Sequence, residues 1–590
     1  MGKELFTNIP SKVKNLVEDI RIGKIGLPDL QRPFVWKDSK VRDLIDSMLR
    51  GYPIGYVMLW ESPDDYDDKK RAIVGNPKVY EQPKELVIDG QQRLSALVAA
   101  LYGVQVVDKN YEKREIKISF NPLTKAVAVW TTAIDRDQEW IGKISDVFLA
   151  KENNSFSKYR RTYINNLNEA RWKKGEPELS DEELDTIEDN LNELLSLEGY
   201  SLPTMEISAN TDEQDVADIF VRVNSGGQSL TENNFIQTLI AVYEKDVHNK
   251  ITEFCKDSRI PKENTSYNHI IEIDPQHLVR MAVGVGFHRA RLRYAYMLLR
   301  GKNLETGEYS EETRTQNLTI FKNALENVMN LNYWHAFLNC LSDAGYVSSK
   351  LIASSNAVVF TYVLYLIGKL EYKVDTLRLN RIIKKWFFMS AITYFYSGST
   401  ETEVEKQFAD LRGVHTADEF IEYLDRSIAS RLTDDYFKLT LPNELNSSAA
   451  ISPAWYGYVA AQIVLNNPLL FSTSTLEKFL LPGSSGTKNS IDRHHIFPKH
   501  YLEQIGYTSD RDRNQIANFT FLDYATNIDI SDDAPAVYIK RYQERFGDDF
   551  KTHCENHALP ENFETMDYME FLNQRRRLMA QIIKKAYLKL

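Results

Sequence analysis

The chain has 590 residues, of which 43% are hydrophobic and 11% aromatic, and its formal net charge is −11. This apolar and aromatic content is enough for packed cores and argues against general disorder. A chain of this length is expected to fold into roughly two to four domains. The acidic balance excludes a uniformly basic nucleic-acid binder but is compatible with a local basic patch.

The cysteine content and the apolar runs bear on the compartment. The three cysteines, Cys255, Cys340 and Cys554, are far apart and form neither a disulfide framework nor a metal-binding spacing, which favours a reducing environment. The first residues lack the apolar core of a signal peptide. The longest apolar run, residues 358–370, is too short to span a bilayer. We therefore expect a cytoplasmic protein with no membrane partner.

The first part of the chain alternates short strands and helices, as in an α+β domain. Strands are predicted at residues 56–60, 86–88 and 202–207, a β pair at 111–121 with 126–130, and helices at 41–49 and 92–102. The strand at 86–88 breaks at Asp89 and Gly90, and the next helix begins at once. Free N–H groups at a helix start attract anions. This turn therefore predicts a phosphate site, although a plain strand–turn–helix with an arginine ion pair has the same pattern.

Residues 89–93 (DGQQR) supply side chains suited to nucleotide chemistry. Arg93, together with Arg32 from an earlier segment, can offer a fork of N–H donors to phosphate oxygens. Asp89 can hold a metal ion or a water molecule. Gln91 and Gln92 can position an attacking water, as a neutral amide does in other nucleotide hydrolases.

The middle of the chain, from about residue 232 to 441, is predicted to be almost entirely helical, without a repeat of fixed period. Arg289 and Arg293 fall on one helical face, and the last twenty residues include Arg575, Arg576 and Lys584 but no acidic residue. A solvated helix face explains any one such cluster. Several clusters in a chain with a phosphate-cleaving motif favour a track for a nucleic-acid backbone, and we take these five residues as DNA-binding candidates.

Residues 492–498 (DRHHIFP), followed by Asn518 and Asn527, contain the side chains needed for phosphodiester hydrolysis. That reaction needs a base that deprotonates water near neutral pH and a divalent cation that neutralises the phosphate. Neighbouring strand residues point to opposite faces, so one histidine can bind the cation while the other acts as base. A bare histidine pair is also compatible with a structural role. His500 and Asp523 are rival ligands.

These residues resemble two families that occur fused in one enzyme. Residues 492–527 resemble the His-Asn-His (HNH, ββα-metal) nucleases. Residues 27–36 (LPDLQRPFVW), 88–93 and 220–227 (FVRVNSGG) resemble the ParB-like NTPase half of the GmrSD-type modification-dependent (type IV) restriction endonucleases. The resemblance in the N-terminal half extends over about the first 240 residues.

The resemblance implies roles for individual residues. His494 is implied as a metal ligand, His495 as the general base, Asn518 as the residue that orients His495, and Asn527 as the occupant of the third motif position and a metal ligand. Catalytic roles in nucleotide hydrolysis are implied for Asp89, Gln91, Gln92 and Arg93. The implied nucleotide-binding residues are Gln31, Arg32, Asp89, Gly90, Arg93, Arg222 and Asn224.

The expected fold is a mostly helical, multidomain α+β protein. It would consist of a ParB/sulfiredoxin-like domain at residues 1–240, a helical middle domain at 241–440 and an HNH nuclease domain at 441–590. The expected function is antiphage restriction of double-stranded, modified phage DNA, with Mg²⁺ or Mn²⁺ and with GTP or ATP; a homo-oligomer is compatible with this reading. Two alternatives are a nucleotide-gated DNA-binding defence protein with a decayed nuclease and an abortive-infection toxin that cleaves RNA or host DNA.

Overall fold

The structure is a computed structural model that divides into two compact units, residues 1–252 and 253–590. The predicted boundary near residue 440 falls inside the second unit, which contains both the helical middle and the C-terminal segment. The described residues are 5–26, 34–61, 83–108, 112–209, 245–299, 301–308, 310–449, 451–480 and 491–590, with isolated positions between 211 and 240.

The first unit contains a five-stranded mixed sheet in the order β1-β9-β3-β4-β2 and two small hairpins, β5–β6 and β7–β8. β9 pairs antiparallel with β1 and parallel with β3, while β4 pairs antiparallel with β3 and parallel with β2. This mixture of directions agrees with the predicted α+β class. The strands are β1 (Phe6–Lys12), β2 (Ile25–Gly26), β3 (Val57–Glu61), β4 (Glu85–Asp89), β5 (Val106–Val107), β6 (Lys113–Arg114), β7 (Ile118–Asn121), β8 (Ala126–Val129) and β9 (Ser201–Ile207).

The helices of the first unit bury regularly spaced apolar faces. The first of them buries Val13, Leu16, Val17 and Ile20, the spacing of one helical face. The third is buried along nearly its whole length, which its small and apolar residues allow. The helices are α1 (Val13–Arg21), α2 (Asp38–Leu49), α3 (Gln91–Tyr102), α4 (Thr132–Arg136), α5 (Ile144–Glu152), α6 (Phe156–Lys174) and α7 (Asp181–Ser196).

The second unit is mostly helical, as predicted. None of the helices in the described part of the chain is long and apolar enough to cross a membrane. After α8 (Lys245–Asp257), which crosses the boundary between the units, the helices up to the C-terminal segment are α9 (Pro275–Phe287), α10 (Leu292–Leu299), α11 (Glu311–Val328), α12 (Leu331–Asp343), α13 (Ser355–Leu370), α14 (Thr376–Ile392), α15 (Thr400–Leu411), α16 (Ala417–Arg431) and α17 (Leu441–Glu444).

The C-terminal segment adds a two-stranded antiparallel sheet, β10 (Ile491–His495) with β11 (Phe519–Asp523), and further helices. Two short helices lie between these strands, so the chain does not form the direct β-hairpin followed by a helix that the motif implies, although the two strands do pair and a helix follows the second one. These helices are α18 (Pro453–Val464), α19 (Glu477–Leu480), α20 (Lys499–Gln504), α21 (Asp510–Arg513), α22 (Tyr524–Ile530), α23 (Pro535–Phe546), α24 (Asp549–Asn556) and α25 (Tyr568–Lys589).

Helix α25 joins the C-terminal segment to the helical middle within the second unit. It packs against α18 and α17. Tyr587 stacks on Phe388 of α14 and on Phe437, with ring centroids 6.5 and 6.1 Å apart. Lys584 forms an ion pair with Asp434. These contacts explain why the two predicted domains form one compact unit: aromatic side chains of the closing helix are buried against the middle region.

Candidate functional site

The two histidines of the C-terminal motif lie at the end of strand β10. His495 is paired with Phe519 and His494 with Thr520 across the antiparallel ladder. The ring centroids of His495 and Phe519 are 4.6 Å apart. Because adjacent strand residues face opposite sides, His494 is directed to the other face of the hairpin. Both histidines are half-buried as residues, and the Nε2 atom of His494 is itself buried.

The carboxamide of Asn518 holds the chain that follows β10. Its oxygen accepts a hydrogen bond of 2.8 Å from the Phe497 N–H, and its nitrogen donates to the Phe497 carbonyl at 3.0 Å and to the Arg513 carbonyl at 3.2 Å. Its backbone carbonyl accepts from the Ile496 N–H. The side chain is completely buried, so these bonds are made away from competing water. Asn518 therefore fixes the backbone directly after His495.

Asn514 contacts the ring of His495 directly. The Asn514 Oδ1 and His495 Nε2 atoms are 3.0 Å apart. An amide oxygen only accepts, so this contact keeps the proton on Nε2 and leaves Nδ1 of the neutral ring as the basic nitrogen. The resemblance implied that Asn518 orients His495, but the residue in contact with the His495 ring is Asn514, which the sequence did not predict. An asparagine in a loop gives no sequence signal of such a contact, because it arises only when the α21 loop packs beside β10.

Asn527, the third position of the nuclease motif, lies on helix α22, which packs against strands β10 and β11. Asp523 caps this helix by accepting from the Thr526 N–H at 2.8 Å. Burial raises the pKa of Asp523, but hydrogen bonds from Thr526 and Ser472 outweigh it, so the pKa is lowered and the cap stays ionised. Asn527 follows within the first turn and a half of the helix and is partly buried. The rival ligand His500 is exposed on α20, beside Gln504 and Glu503.

A cation site built from His494 and Asn527 would have two protein ligands. Among the residues that the structure describes, no group of three or more His, Cys, Asp and Glu side chains is arranged to hold a metal ion. A two-ligand site is compatible with Mg²⁺ or Mn²⁺ chemistry, because such ions keep several waters and share the phosphates of the substrate. The donor set therefore fits a cation bound together with its substrate better than a closed structural site.

A further histidine lies behind β11 and has a structural role. His557 donates from Nε2 to the Pro468 carbonyl at 2.8 Å, and its Nδ1 lies 3.3 Å from the Thr520 hydroxyl. Burial lowers the pKa of His557 to about 4, so the ring is neutral at physiological pH. Its neutral ring bridges β11 to the Pro468 loop on the side of the hairpin that Thr520 faces.

Of the predicted DNA-binding residues, Arg575 does not fit that role. Its guanidinium is completely buried and donates to the carbonyls of Ala517, at 2.6 Å, and His557. It therefore supports the turn that carries Asn518. Arg576 is also buried, Lys584 is engaged by Asp434, and Arg289 lies over the Tyr294 ring and 3.8 Å from a Glu405 oxygen. The side chain of Arg293 lies outside the described part of the chain.

In the first unit, the predicted phosphate turn joins β4 to α3. Gly90 adopts φ +90°, a left-handed conformation that favours glycine, and α3 starts directly after it. Arg93 is mostly buried and donates to the Tyr56 carbonyl at 2.6 Å. Burial lowers the pKa of Arg93 and the Asp89 carboxylate opposes that shift. Burial and the Asp89 carboxylate raise the pKa of Tyr56. Asp89, Arg93 and Tyr56 thus form one electrostatic cluster.

The two glutamines of this turn differ in position. Gln92 Oε1 accepts a hydrogen bond of 3.2 Å from the Val35 N–H. This bond connects the motif at residues 88–93 to the motif at residues 27–36. Gln91 is only 2% exposed and donates to the Val87 carbonyl, so its side chain faces the core and is poorly placed to position a water. Four residues predicted to bind nucleotide lie outside the described part of the chain, namely Gln31, Arg32, Arg222 and Asn224.

Comparisons with known proteins bear on both ends of the chain. Residues 13–241 match the family model of the GmrSD restriction endonuclease, N-terminal domain. An uncharacterized protein of Methanocaldococcus jannaschii is 23% identical over 553 residues, covering 90% of this chain and 86% of the relative. The similarity to that relative therefore extends beyond the matched N-terminal region to nearly the whole chain. The family match covers less than half of the chain, and it supports a GmrSD-like N-terminal domain.

The buried carboxamide of Asn518 gives a stability prediction. Asn518→Ala leaves the N–H and carbonyl of Phe497 and the Arg513 carbonyl without this partner in a site closed to water. We expect the free energy of unfolding to fall by about 3 kcal/mol, measured by urea unfolding. Asn573→Ala, at an exposed position of α25, is the matched control and should change stability by less than about 0.5 kcal/mol. Equal effects of the two substitutions would contradict the role of Asn518.

Proposed function

We propose that this protein is a nucleotide-dependent restriction endonuclease that cuts or nicks double-stranded DNA with a one-metal HNH site. The N-terminal match to GmrSD restriction endonucleases supports the class. The observation that carries the nuclease assignment is the arrangement around His495: its Nε2 lies 3.0 Å from the Asn514 oxygen, and the chain after it is held by Asn518. Modified phage DNA remains the proposed substrate by resemblance.

In the proposed mechanism His495 is the general base. Its Nδ1 takes a proton from a water molecule as the water oxygen forms a bond to the scissile phosphorus. The bond from phosphorus to the 3′ oxygen breaks, and the phosphate stays on the 5′ end. Asn514 holds the ring in the tautomer that this step needs, since its oxygen accepts the Nε2–H.

His494 and Asn527 would hold the divalent cation. When bound, the cation neutralises charge on the scissile phosphate and on the leaving oxygen. The β10–β11 hairpin carries one ligand and α22 the other, and both side chains are partly exposed. Asn518 contributes indirectly by fixing the backbone between the base and the loop of Asn514.

The N-terminal unit is the proposed site of NTP binding and hydrolysis. The start of α3 presents backbone N–H groups after the tight turn at Gly90, the geometry that attracts phosphates. Asp89 and Arg93 face this turn as a carboxylate and a guanidinium. The hydrogen bond between Val35 and Gln92 places the described end of the motif at residues 27–36 beside the turn.

The proposal predicts that two activities can be separated by single substitutions. His495→Ala should reduce DNA cleavage by about 10³-fold, because the base is lost, while NTP hydrolysis stays at the wild-type rate. Asp89→Asn should abolish NTP hydrolysis. The assay uses the full chain with plain and modified duplexes, Mg²⁺ or Mn²⁺, and GTP or ATP in all combinations.

Two exposed residues provide matched controls for that experiment. His500→Ala removes an imidazole from the neighbouring helix, and Asp181→Asn removes a carboxylate from the N-terminal unit. Neither should change either activity by more than about twofold, as expected for exposed positions. DNA cleavage that persists in pure His495→Ala protein would remove the base assignment. Cleavage of RNA in preference to every duplex would favour the toxin alternative.

The contact between Asn514 and His495 predicts a change in pH dependence. Asn514→Asp places a carboxylate beside Nε2–H, which stabilises the imidazolium form of His495. The base acts in its neutral form, so the acidic limb of the pH–rate profile should move up by about 1 pH unit. Gln504→Glu, an exposed position on α20, adds the same charge elsewhere and should leave the profile unchanged. An unmoved limb in Asn514→Asp would contradict the contact.

A further inference from the structure

A polar cavity of about 360 Å³ lies beside the loop that carries Asn514. Helix α25, the α21 loop and the segment that follows α17 line it. The side chains that matter for its chemistry are two cations, one carboxylate and three neutral polar groups, namely Arg576, Arg511, Asp512, Ser509, Asn446 and Gln515.

Arg576 is a buried cation that forms no ion pair with any of the described residues. The residue is 9% exposed, its Nη2 donates to Gln515 Oε1 at 3.3 Å, and its Nε is buried with no hydrogen-bond partner. Within the described part of the chain, no carboxylate lies at ion-pair distance from it, although Asp512 lines the same cavity. Burial lowers the pKa of Arg576, opposed by the Tyr568 hydroxyl, but a guanidinium remains charged in a protein.

Two other buried arginines of the second unit have the partners that are expected of a structural arginine. Arg575 donates to two backbone carbonyls. Arg513 forms ion pairs with Glu503 and Asp510. Leaving a buried charge uncompensated costs several kcal/mol in general. Among the described residues, Arg576 has one neutral amide partner, so the cavity in front of it is suited to an anion.

We propose that this cavity is a subsite for one phosphodiester of the nucleic-acid backbone. Arg576 and Arg511 would face the phosphate, and Ser509 and Asn446 offer neutral donors. Gln515 holds Arg576 in place, and its own Nε2 donates to the Arg511 carbonyl. The Asp512 carboxylate offsets one of the two cations, which leaves a net charge that matches a monoanionic phosphodiester rather than a free phosphate dianion or a nucleotide. The assignment of this phosphate to DNA rests on the proposed function.

The position of the subsite relates it to the base. Gln515, the partner of Arg576, directly follows Asn514, the partner of His495. Tyr568, at the start of α25, also donates to the backbone of Asp512 in the same loop. A backbone phosphate bound here would therefore set the register of the DNA at a fixed distance from the reacting phosphate, and it would do so without reading sequence.

The test measures duplex binding by the full chain carrying His495→Ala, so that no DNA is cut. Arg576→Gln should weaken binding of a fluorescently labelled duplex by about tenfold and reduce the salt slope by about 1, as expected for one lost phosphate contact. Arg577→Gln is the matched control, since it removes the same charge from the exposed neighbouring position. It should change affinity by less than about twofold.

Stability separates a ligand-binding arginine from a structural one. In the absence of DNA, Arg576→Gln should leave Tm unchanged or raise it, because an uncompensated buried charge is removed. A lower Tm, together with duplex affinity equal to that of Arg577→Gln, would overturn the subsite. Arg576→Lys keeps the charge and should recover part of the affinity.

Inorganic phosphate identifies the source of the anion. At matched ionic strength it should stabilise wild type and Arg576→Gln equally. A stabilisation by phosphate that depends on Arg576, with no effect of Arg576→Gln on duplex affinity, would overturn the assignment to the nucleic-acid backbone. The two proposals fail separately, because binding is read in the His495→Ala chain and cutting in the wild-type chain. Duplex binding that depends on Arg576, together with a wild-type chain that cuts no DNA, would contradict the nuclease proposal and leave the subsite standing.

Discussion

The three hydrogen bonds of the Asn518 carboxamide are the constraint on which the candidate nuclease site depends. The side chain spans the gap between two stretches of backbone, the residues after β10 and the end of α21. The first stretch follows His495, and the second directly precedes its partner Asn514. Because these bonds are buried, breaking them would expose polar groups to an apolar surrounding. One side chain therefore controls the relative position of both members of the pair.

The rest of the C-terminal segment supports that arrangement from behind. Tyr538 and Tyr568 donate their hydroxyls to backbone carbonyls on either side of the site, at Ile496 and Asp512. Arg575 satisfies the carbonyl of Ala517, which precedes Asn518. Phe497 packs on Phe571 with ring centroids 4.6 Å apart. Most of these supports come from α25, so the closing helix is part of the structure of the site.

Local patterns predicted much of this framework. The strands at 56–60, 86–88 and 202–207 and the helix at 92–102 appear within one residue of the predicted bounds, because alternation and helical spacing of apolar residues report local burial directly. The pairing of two strands in the C-terminal motif agrees with the resemblance, but the two short helices between those strands were not predicted. The assignment of nuclease and nucleotide roles to these residues stays a prediction from resemblance.

The contacts that organise the site could not be predicted, because they join residues distant in sequence. Asn514 meets His495 only through the packing of α21, and nothing in the sequence distinguishes it from Asn518 as a partner. The run of basic residues on α25 predicts a solvent-exposed face. Arg575 is nevertheless buried, because the carbonyls of Ala517 and His557 accept hydrogen bonds from its guanidinium. Gln91 faces the core for a similar reason, since the Val87 carbonyl lies within its reach.

The central claim is that His494 and Asn527 hold a catalytic cation beside His495, and electron spin-echo measurements on Mn²⁺ test it most directly. The sample is the full chain carrying His495→Ala, with duplex DNA and one equivalent of Mn²⁺, so that the reading does not depend on activity. We expect the Mn²⁺ spectrum to show coupling to the nitrogen of one imidazole, and this coupling should disappear when His494→Ala is added. Mn²⁺ without nitrogen coupling, or coupling that survives His494→Ala, would contradict it.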